Sequence, residues 1–215
     1  MNKTGRNNIT DKLNSLCANN ELPLQTITAG QTLFRMQGTG HAKGFHYHAP
    51  TANLGRYNDP NAKLGICYVS SQADVAIGEI ILRTGKTELD KSELELSEIA
   101  QLTTKKDLKV LNVGRLLPKL GLKLDELSST SYGICQEIVR YFSDNPNPAV
   151  QGIIYISRHL ADGECYALFA PAPGEVHLET ISKVKLSDFK CAATGLDAEE
   201  ILTDVLNVDV TDVMG

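Results

Sequence analysis

No Cys-x-x-Cys pair occurs in the 215 residues: Cys17, Cys67, Cys135, Cys165 and Cys191 stand singly and are odd in number. That spacing argues against a zinc knuckle and against a disulfide framework, so the cysteines are read as reduced, small hydrophobes within apolar runs. No apolar stretch approaches the length that crosses a bilayer, and the opening MNKTGRNNITDKLN lacks the apolar centre of a secretory signal. The expectation is a cytoplasmic protein without membrane contact. Positive charge is not in excess either: Lys and Arg total 21 against 26 Asp and Glu, a formal net charge of -5. The chain as a whole is therefore not built for direct nucleic-acid binding through a basic field, although local cations can still hold a small anion. Internal repeats and low-complexity tracts are missing as well.

What is present is enough apolar sequence for one domain with a real core. Residues 1–25 read as a polar extension carrying a short helix around Asp11–Ala18, and residues 26–215 as the functional domain, closed by a C-terminal helix. A strand is expected at Thr32–Met36, followed by a long loop over Gly38–Gly55 that also carries Pro50 and Asn53. Loops of that length inside a domain are usually functional or mobile. The run Gly65–Val69 then reads as a buried strand. Ser70-Ser71 is expected to cap a helix, with Asp74 completing a capping box, and Ala73, Ala76, Ile77, Ile80 and Ile81 form its core-facing stripe. Gly85 ends it.

Residues 92–100 and 107–113 read as strands joined by the charged turn Thr104–Asp107. A helix is expected over Tyr132–Phe142, with Ile134, Cys135, Ile138, Val139 and Phe142 on one face, stopped by Asn145-Pro-Asn-Pro148. Strands follow at Gly152–Ile156 and Cys165–Ala170 around a turn at Asp162-Gly163, and Val176, Leu178 and Thr180 alternate as in a half-exposed strand. Asp197 and Glu200 form a capping box for a last helix that buries Ile201, Leu202, Val205 and Leu206. The irregular order of strands and helices predicts a single α+β domain with a mixed or antiparallel sheet and flanking helices.

Four segments place a polar residue at the end of, or inside, an apolar element: Leu33-Phe-Arg35-Met, Gly55-Arg56-Tyr57-Asn58, Tyr68 through Glu79, and Gly152-Ile-Ile-Tyr-Ile-Ser157-Arg158. Strand ends feeding into loops are where ligand sites are commonly assembled. In this order and at this spacing the segments resemble the RES domain family, named for an arginine, a glutamate and a serine. The resemblance rests on Arg35, the Gly55-Arg56-Tyr57 turn, Tyr68 with Glu79, Gly152 to Ser157 and a closing Ala167-Leu-Phe169. It spans roughly residues 30–170. Tyrosine at position 57 stands where phenylalanine or tryptophan is common in the family.

The resemblance implies an ADP-ribosyltransferase-like fold and an enzyme that consumes NAD as substrate, by hydrolysis or by phosphorolysis with inorganic phosphate. No other cofactor and no metal is implied. It also implies a toxin restrained by a helix-turn-helix antitoxin. The chemistry suits the residue types. Breaking the nicotinamide–ribose bond builds positive charge on the ribose, which a carboxylate, Glu79, would stabilise. Arginine matches diphosphate oxygens with a planar fork of donors, Arg35 first and Arg56 second. Ser157 would hydrogen-bond a ribose or phosphate, since no adjacent base activates it as a nucleophile. Tyr57 or Tyr68 would stack on a ring of the dinucleotide, with Arg158 beside them.

Blander readings stand next to these. Glu79 alone would be a solvated helix residue, Arg35 an edge charge and Ser157 a turn residue. Gly38-Thr-Gly40 lacks a third glycine in register and a following helix, so no dinucleotide fingerprint is read. His41, His46 and His48, without acidic or cysteine partners nearby, are read as exposed imidazoles rather than metal ligands, or as a lid over substrate. Two other functions share the pattern: ADP-ribosyl transfer onto a macromolecule, and a non-catalytic nucleotide- or partner-binding domain.

Overall fold

The computed structural model describes residues 3–123, 132–147, 149–161 and 163–212. Its strands are β1 (Leu24–Ile27), β2 (Thr32–Gly38), β3 (Ile66–Ser70), β4 (Glu88–Asp90), β5 (Ser97–Thr104), β6 (Leu108–Asn112), β7 (Gly152–Ile156), β8 (Glu164–Phe169), β9 (Leu178–Lys185) and β10 (Asp209–Thr211). The helices are α1 (Lys3–Ala18), α2 (Ala73–Ile81), α3 (Lys91–Glu95), α4 (Val113–Leu120), α5 (Gly133–Asp144) and α6 (Ala198–Glu200). Eight strands form one sheet in the order β1-β6-β7-β8-β3-β2-β5-β9, and β10 pairs with β4 apart from it. Within the sheet β6 and β7 run parallel and every other neighbouring pair is antiparallel. This is a mixed α+β domain with a mostly antiparallel sheet, as the irregular element order predicts.

The central strands read as unbroken apolar runs because both faces of the sheet are covered. Leu111, Ile153, Ala167 and Phe169 turn to one face, where α1, α4 and α5 pack. Their neighbours Val110, Ile154, Tyr166 and Leu168 turn to the other, against Leu33, Ala100, Leu102 and Leu178. A third cluster gathers Met36 and Ile99 under Ala73, Ala76 and Ile77 of α2 and under Ile201 and Leu202.

Several expectations change at the ends of the chain. The segment read as a polar extension is a 16-residue helix that buries Ile9, Leu13 and Leu16, one face at i, i+4 and i+7. Lys12 Nζ donates to Leu120 O at 2.7 Å, closing the C-terminal end of α4, and Tyr141 Oη donates to Asn14 Oδ1 at 2.8 Å. Directly after it, β1 joins the main sheet. The last helix keeps its Asp197–Glu200 capping box, then widens into a π-type turn over Ile201–Val205. Ile201, Leu202 and Leu206 are buried there, while Val205 faces outward.

Inside the chain the differences are local. Residues 92–95 are helical rather than extended, because Asp90 and Glu93 form a capping box that turns the chain before β5 begins. Helix α2 starts after Gln72, which makes no side-chain cap, so no Ser71–Asp74 box exists; Ser70 Oγ donates instead to Gln72 O at 2.6 Å. Ala73, Ala76, Ile77 and Ile81 are buried as the stripe predicts, but Ile80 is not. Beyond α2 a 3-10 turn over Leu82–Thr84 ends at Gly85, whose φ of 72° only glycine adopts freely. Helix α4 was masked in sequence by Gly114 and Pro118; it forms because Val113, Leu116, Leu117 and Leu120 bury one face and Asn112 caps it. Helix α5 begins one residue later than predicted and runs on to Asp144; it buries Cys135, Ile138, Val139 and Phe142 as expected, with Ile134 only partly buried. Pro148, in the run read as its stop, and Asp162, in the expected turn, lie outside the described residues.

One feature of the sheet positions the site. Strand β2 shares seven residue pairs with β5, and β3 shares five with β8, but β2 and β3 join through one pair, Phe34 opposite Ser70. The sheet splays open past that point, leaving the Tyr68 carbonyl without a strand partner. Arg35 Nη1 reaches across and donates to it at 2.8 Å.

Candidate active site

The splay between β2 and β3 opens a cleft of about 580 Å³ whose walls include Arg35, His46, His48, Gly55, Arg56, Asn58, Tyr68, Glu79, Ile80, Arg83, Tyr132, Tyr155 and Arg158. Glu79 is the one carboxylate among its described lining residues, facing four arginines from four separate elements. A chain of net charge -5 thus carries one concave surface of opposite sign. Cations converging at low dielectric select an anionic ligand.

Glu79 reaches the cleft because α2 packs its apolar stripe on the sheet and turns position 79 sideways. Ser157 Oγ donates to Glu79 Oε1 at 2.6 Å, and accepts from the backbone N–H of His159 at 3.1 Å and of Leu160 at 3.2 Å. With both acceptor positions filled, the single hydroxyl proton has one direction to point, so the serine sets the rotamer of the carboxylate. Ser157 is buried behind Glu79 and lines an adjoining cavity that shares Arg56, Tyr155 and Arg158 with the cleft. The hydroxyl proton that sequence reasoning assigned to a ribose or phosphate is given to Glu79 in this structure.

Arg35 is committed mainly to the protein. Nε donates to Gln37 Oε1 at 3.3 Å, Nη1 to Tyr68 O at 2.8 Å, and Nη2 lies 3.3 Å from His46 Nε2. Nη1 also donates to Cys67 Sγ at 4.0 Å, so four of its five N–H groups are engaged and one, on Nη2, is left for a ligand oxygen. Arg56 is held differently: its guanidinium lies 5.5 Å from the Tyr155 ring and 5.9 Å from the Tyr57 ring, cation–π contacts that fix the cation in the cleft wall. Arg158 stacks over Tyr132, 5.5 Å away, and donates to its hydroxyl at 3.0 Å.

The Gly55–Asn58 turn is built for close approach. Asn58 Oδ1 accepts from Gly55 N at 2.7 Å, and Tyr68 Oη accepts from Tyr57 N at 2.9 Å. A Cβ on Gly55 would stand 2.7 Å from Asn58 Oδ1 and 3.0 Å from Tyr68 Oη. Gly55→Ala is accordingly expected to push the turn outward and shift Arg56, weakening ligand binding in the cleft more than it lowers thermal stability; a titration with ADP-ribose beside a melting curve checks both.

Tyr57 is corrected by the structure. It is fully buried, 4.7 Å from the Tyr155 ring, and belongs to the core rather than to a stacking platform. Tyr68 lines the cleft, with its hydroxyl turned to the Gly55 turn. Sequence reasoning gave no site role to Tyr155, Asn58, Tyr132 or Arg83, and took His46 only as an exposed imidazole or part of a lid. Arg83 carried a legible signal, lying four residues after Glu79 and so on the same side of the helix. The partial burial of His46 was not legible, because it depends on the long loop packing back on the sheet.

His46 is half-buried rather than solvent-exposed, stacked 4.8 Å from His41. Burial first, then the charges of Arg35, His41 and His48, hold its pKa down to about 4. His177, buried elsewhere, is also lowered, by burial and by Lys106. In both cases the unfolded imidazole, ordinarily near 6.5, binds a proton at a higher pH than the folded one. Their contribution to stability is complete above about pH 6.5 and is lost as pH falls toward the folded values. A drop in Tm between about pH 7 and about pH 4.5 is expected, and replacing His46 by Gln should make it shallower. Among the described residues no three His, Cys, Asp or Glu side chains converge as a metal-binding group.

Fold and site together define an α+β domain built around an arginine-lined cleft with one oriented carboxylate among its described lining residues. The chain belongs to the RES domain family, whose model matches residues 32–188. None of the curated proteins matches it. Among solved structures, a chain from the crystal structure of the M. tuberculosis MbcT–MbcA toxin–antitoxin complex matches with a TM-score of 0.62 at 18% identity, over 93% of this chain and 97% of that one. The shared fold therefore extends beyond the family-matched segment to include chain ends that the motifs leave uncovered.

Proposed function

We propose that this protein is an NAD-consuming toxin that cleaves the bond between nicotinamide and ribose, by hydrolysis or by phosphorolysis. The observation that carries the reading is the Glu79 carboxylate, oriented by Ser157 and set among Arg35, Arg56, Arg83 and Arg158. As the glycosidic bond breaks, its electron pair leaves with nicotinamide, neutralising the pyridinium nitrogen, and positive charge develops at the ribose C1′. Glu79 offsets that charge; the arginines hold the diphosphate and draw the dinucleotide in against the negative field of the remaining surface. Water then adds to C1′ and releases a proton, giving ADP-ribose. Inorganic phosphate in its place gives the ADP-ribose 1-phosphate ester.

Membership of the RES domain family and the fold shared with a chain of a toxin–antitoxin complex support a toxin with a protein antitoxin as partner. Purified protein mixed with NAD, with and without phosphate, should release nicotinamide, and the second product identifies the acceptor. Label from NAD recovered on a macromolecule instead would reassign the reaction to ADP-ribosyl transfer. Binding of NAD with no nicotinamide released by the wild type would leave a binding domain.

A further inference from the structure

We propose that His46, as the neutral imidazole protonated at Nδ1, is a positioning residue that presents Arg35 to the ligand. The guanidinium has only donors, so at 3.3 Å from Arg35 Nη2 the His46 Nε2 must be the acceptor. A neutral ring that accepts at Nε2 carries its one proton on Nδ1. Nδ1 is buried and has no hydrogen-bond partner among the described residues. That is the unfavourable side of the arrangement, since an unpaired buried donor costs free energy. It persists because the other nitrogen is taken by the arginine.

The remaining ties of Arg35 show why an acceptor is needed at this point. Tyr68 O holds one edge of the guanidinium and Gln37 Oε1 holds Nε. Gln37 is itself anchored: its Nε2 donates to Glu98 Oε1 at 2.8 Å and to Lys43 O at 2.9 Å, and Glu98 pairs with Lys183 at 3.1 Å. Held at Nε and Nη1 alone, the guanidinium could still tilt about the line joining those contacts. His46 closes the third side and fixes the direction of the one free N–H group, on Nη2. The loop that carries His46 is fastened in turn, with Gly44 N donating to Thr180 Oγ1 at 3.0 Å and His48 bridging to Ile66. This part of the long loop is therefore a wall of the cleft rather than a lid, and the desolvated, cation-flanked environment that holds His46 neutral keeps its Nε2 available as an acceptor.

The functional half of this inference rests on the reading of the cleft as an NAD site; the tautomer does not, and the two are tested apart. Long-range proton–nitrogen NMR on histidine-labelled protein near neutral pH should show His46 protonated at Nδ1 and bare at Nε2. A ring protonated at Nε2 overturns the proposal whatever the substrate is. For the functional half, His46→Gln keeps an acceptor oxygen within reach of Nη2, whereas His46→Leu fills similar space without one. Leu should raise KM for NAD, and weaken ADP-ribose binding, about tenfold or more, while Gln stays within about threefold of wild type. Equal impairment in Gln and Leu variants of wild-type Tm, or no impairment in either, would count against positioning. Wild-type protein that shows the expected tautomer yet neither cleaves NAD nor binds ADP-ribose would instead refute the NAD reading and, with it, the role assigned to Arg35 in ligand binding.

Discussion

Replacing Glu79 by Gln is expected to lower the rate of nicotinamide release by about a hundredfold to a thousandfold, the range seen when one preorganised group facing developing charge is removed. Gln keeps the size of the side chain and an oxygen to accept from Ser157 Oγ, so folding and ADP-ribose binding should change little. The loss should therefore appear in kcat rather than in KM. Ser157→Ala is the companion measurement. It leaves the carboxylate charge in place but removes the 2.6 Å hydrogen bond that aims it, and it strips the acceptor from the His159 and Leu160 N–H groups. Its effect on kcat should be real but smaller than that of Glu79→Gln. A Glu79→Gln enzyme that turns over NAD at the wild-type rate would sink the assignment of the carboxylate, and the cleft would have to work through its arginines alone.

Leu13→Ala in α1 is expected to cost about 2–5 kcal/mol, the usual range for truncating a fully buried leucine. Removing residues 1–20 altogether takes away three such side chains, Ile9, Leu13 and Leu16, each contributing about 1.5–3 kcal/mol by burial. That sum is comparable with the whole stability of an ordinary domain, about 5–15 kcal/mol. The shortened chain should therefore be insoluble or molten when expressed, and the point variant should show a lower urea midpoint with an unchanged slope. A truncated chain that folds and keeps the wild-type melting temperature would mean that α1 is the dispensable extension its composition suggests.

These two sites illustrate what can be read along the chain and what cannot. The periodicity of Ala73, Ala76, Ile77 and Ile81 is a local property, and it located α2 correctly. The apolar runs at 66–70, 152–156 and 164–169 were legible as strands because both of their faces are buried. The Asp197–Glu200 box was legible because its two partners lie within one turn. By contrast α1 was underestimated because its three buried residues are diluted among polar ones, and only the surface offered by α4 and α5 makes them a stripe. Helix α4 was missed because Gly114 and Pro118 punctuate it, and the burial of Leu116, Leu117 and Leu120 overrides that local signal.

The sequence by itself determined the residue types of the candidate site, the α+β class and the family, since each depends on short motifs and their order. Only the tertiary structure decided the division of labour among those residues. It moved Tyr57 from the ligand to the core, set Ser157 behind Glu79, and brought Arg83 and His46 into the cleft. The reason is that a side chain's role follows from which groups occupy its remaining hydrogen-bonding positions. Those groups come from strands that are distant in sequence, and from the place where β2 and β3 part.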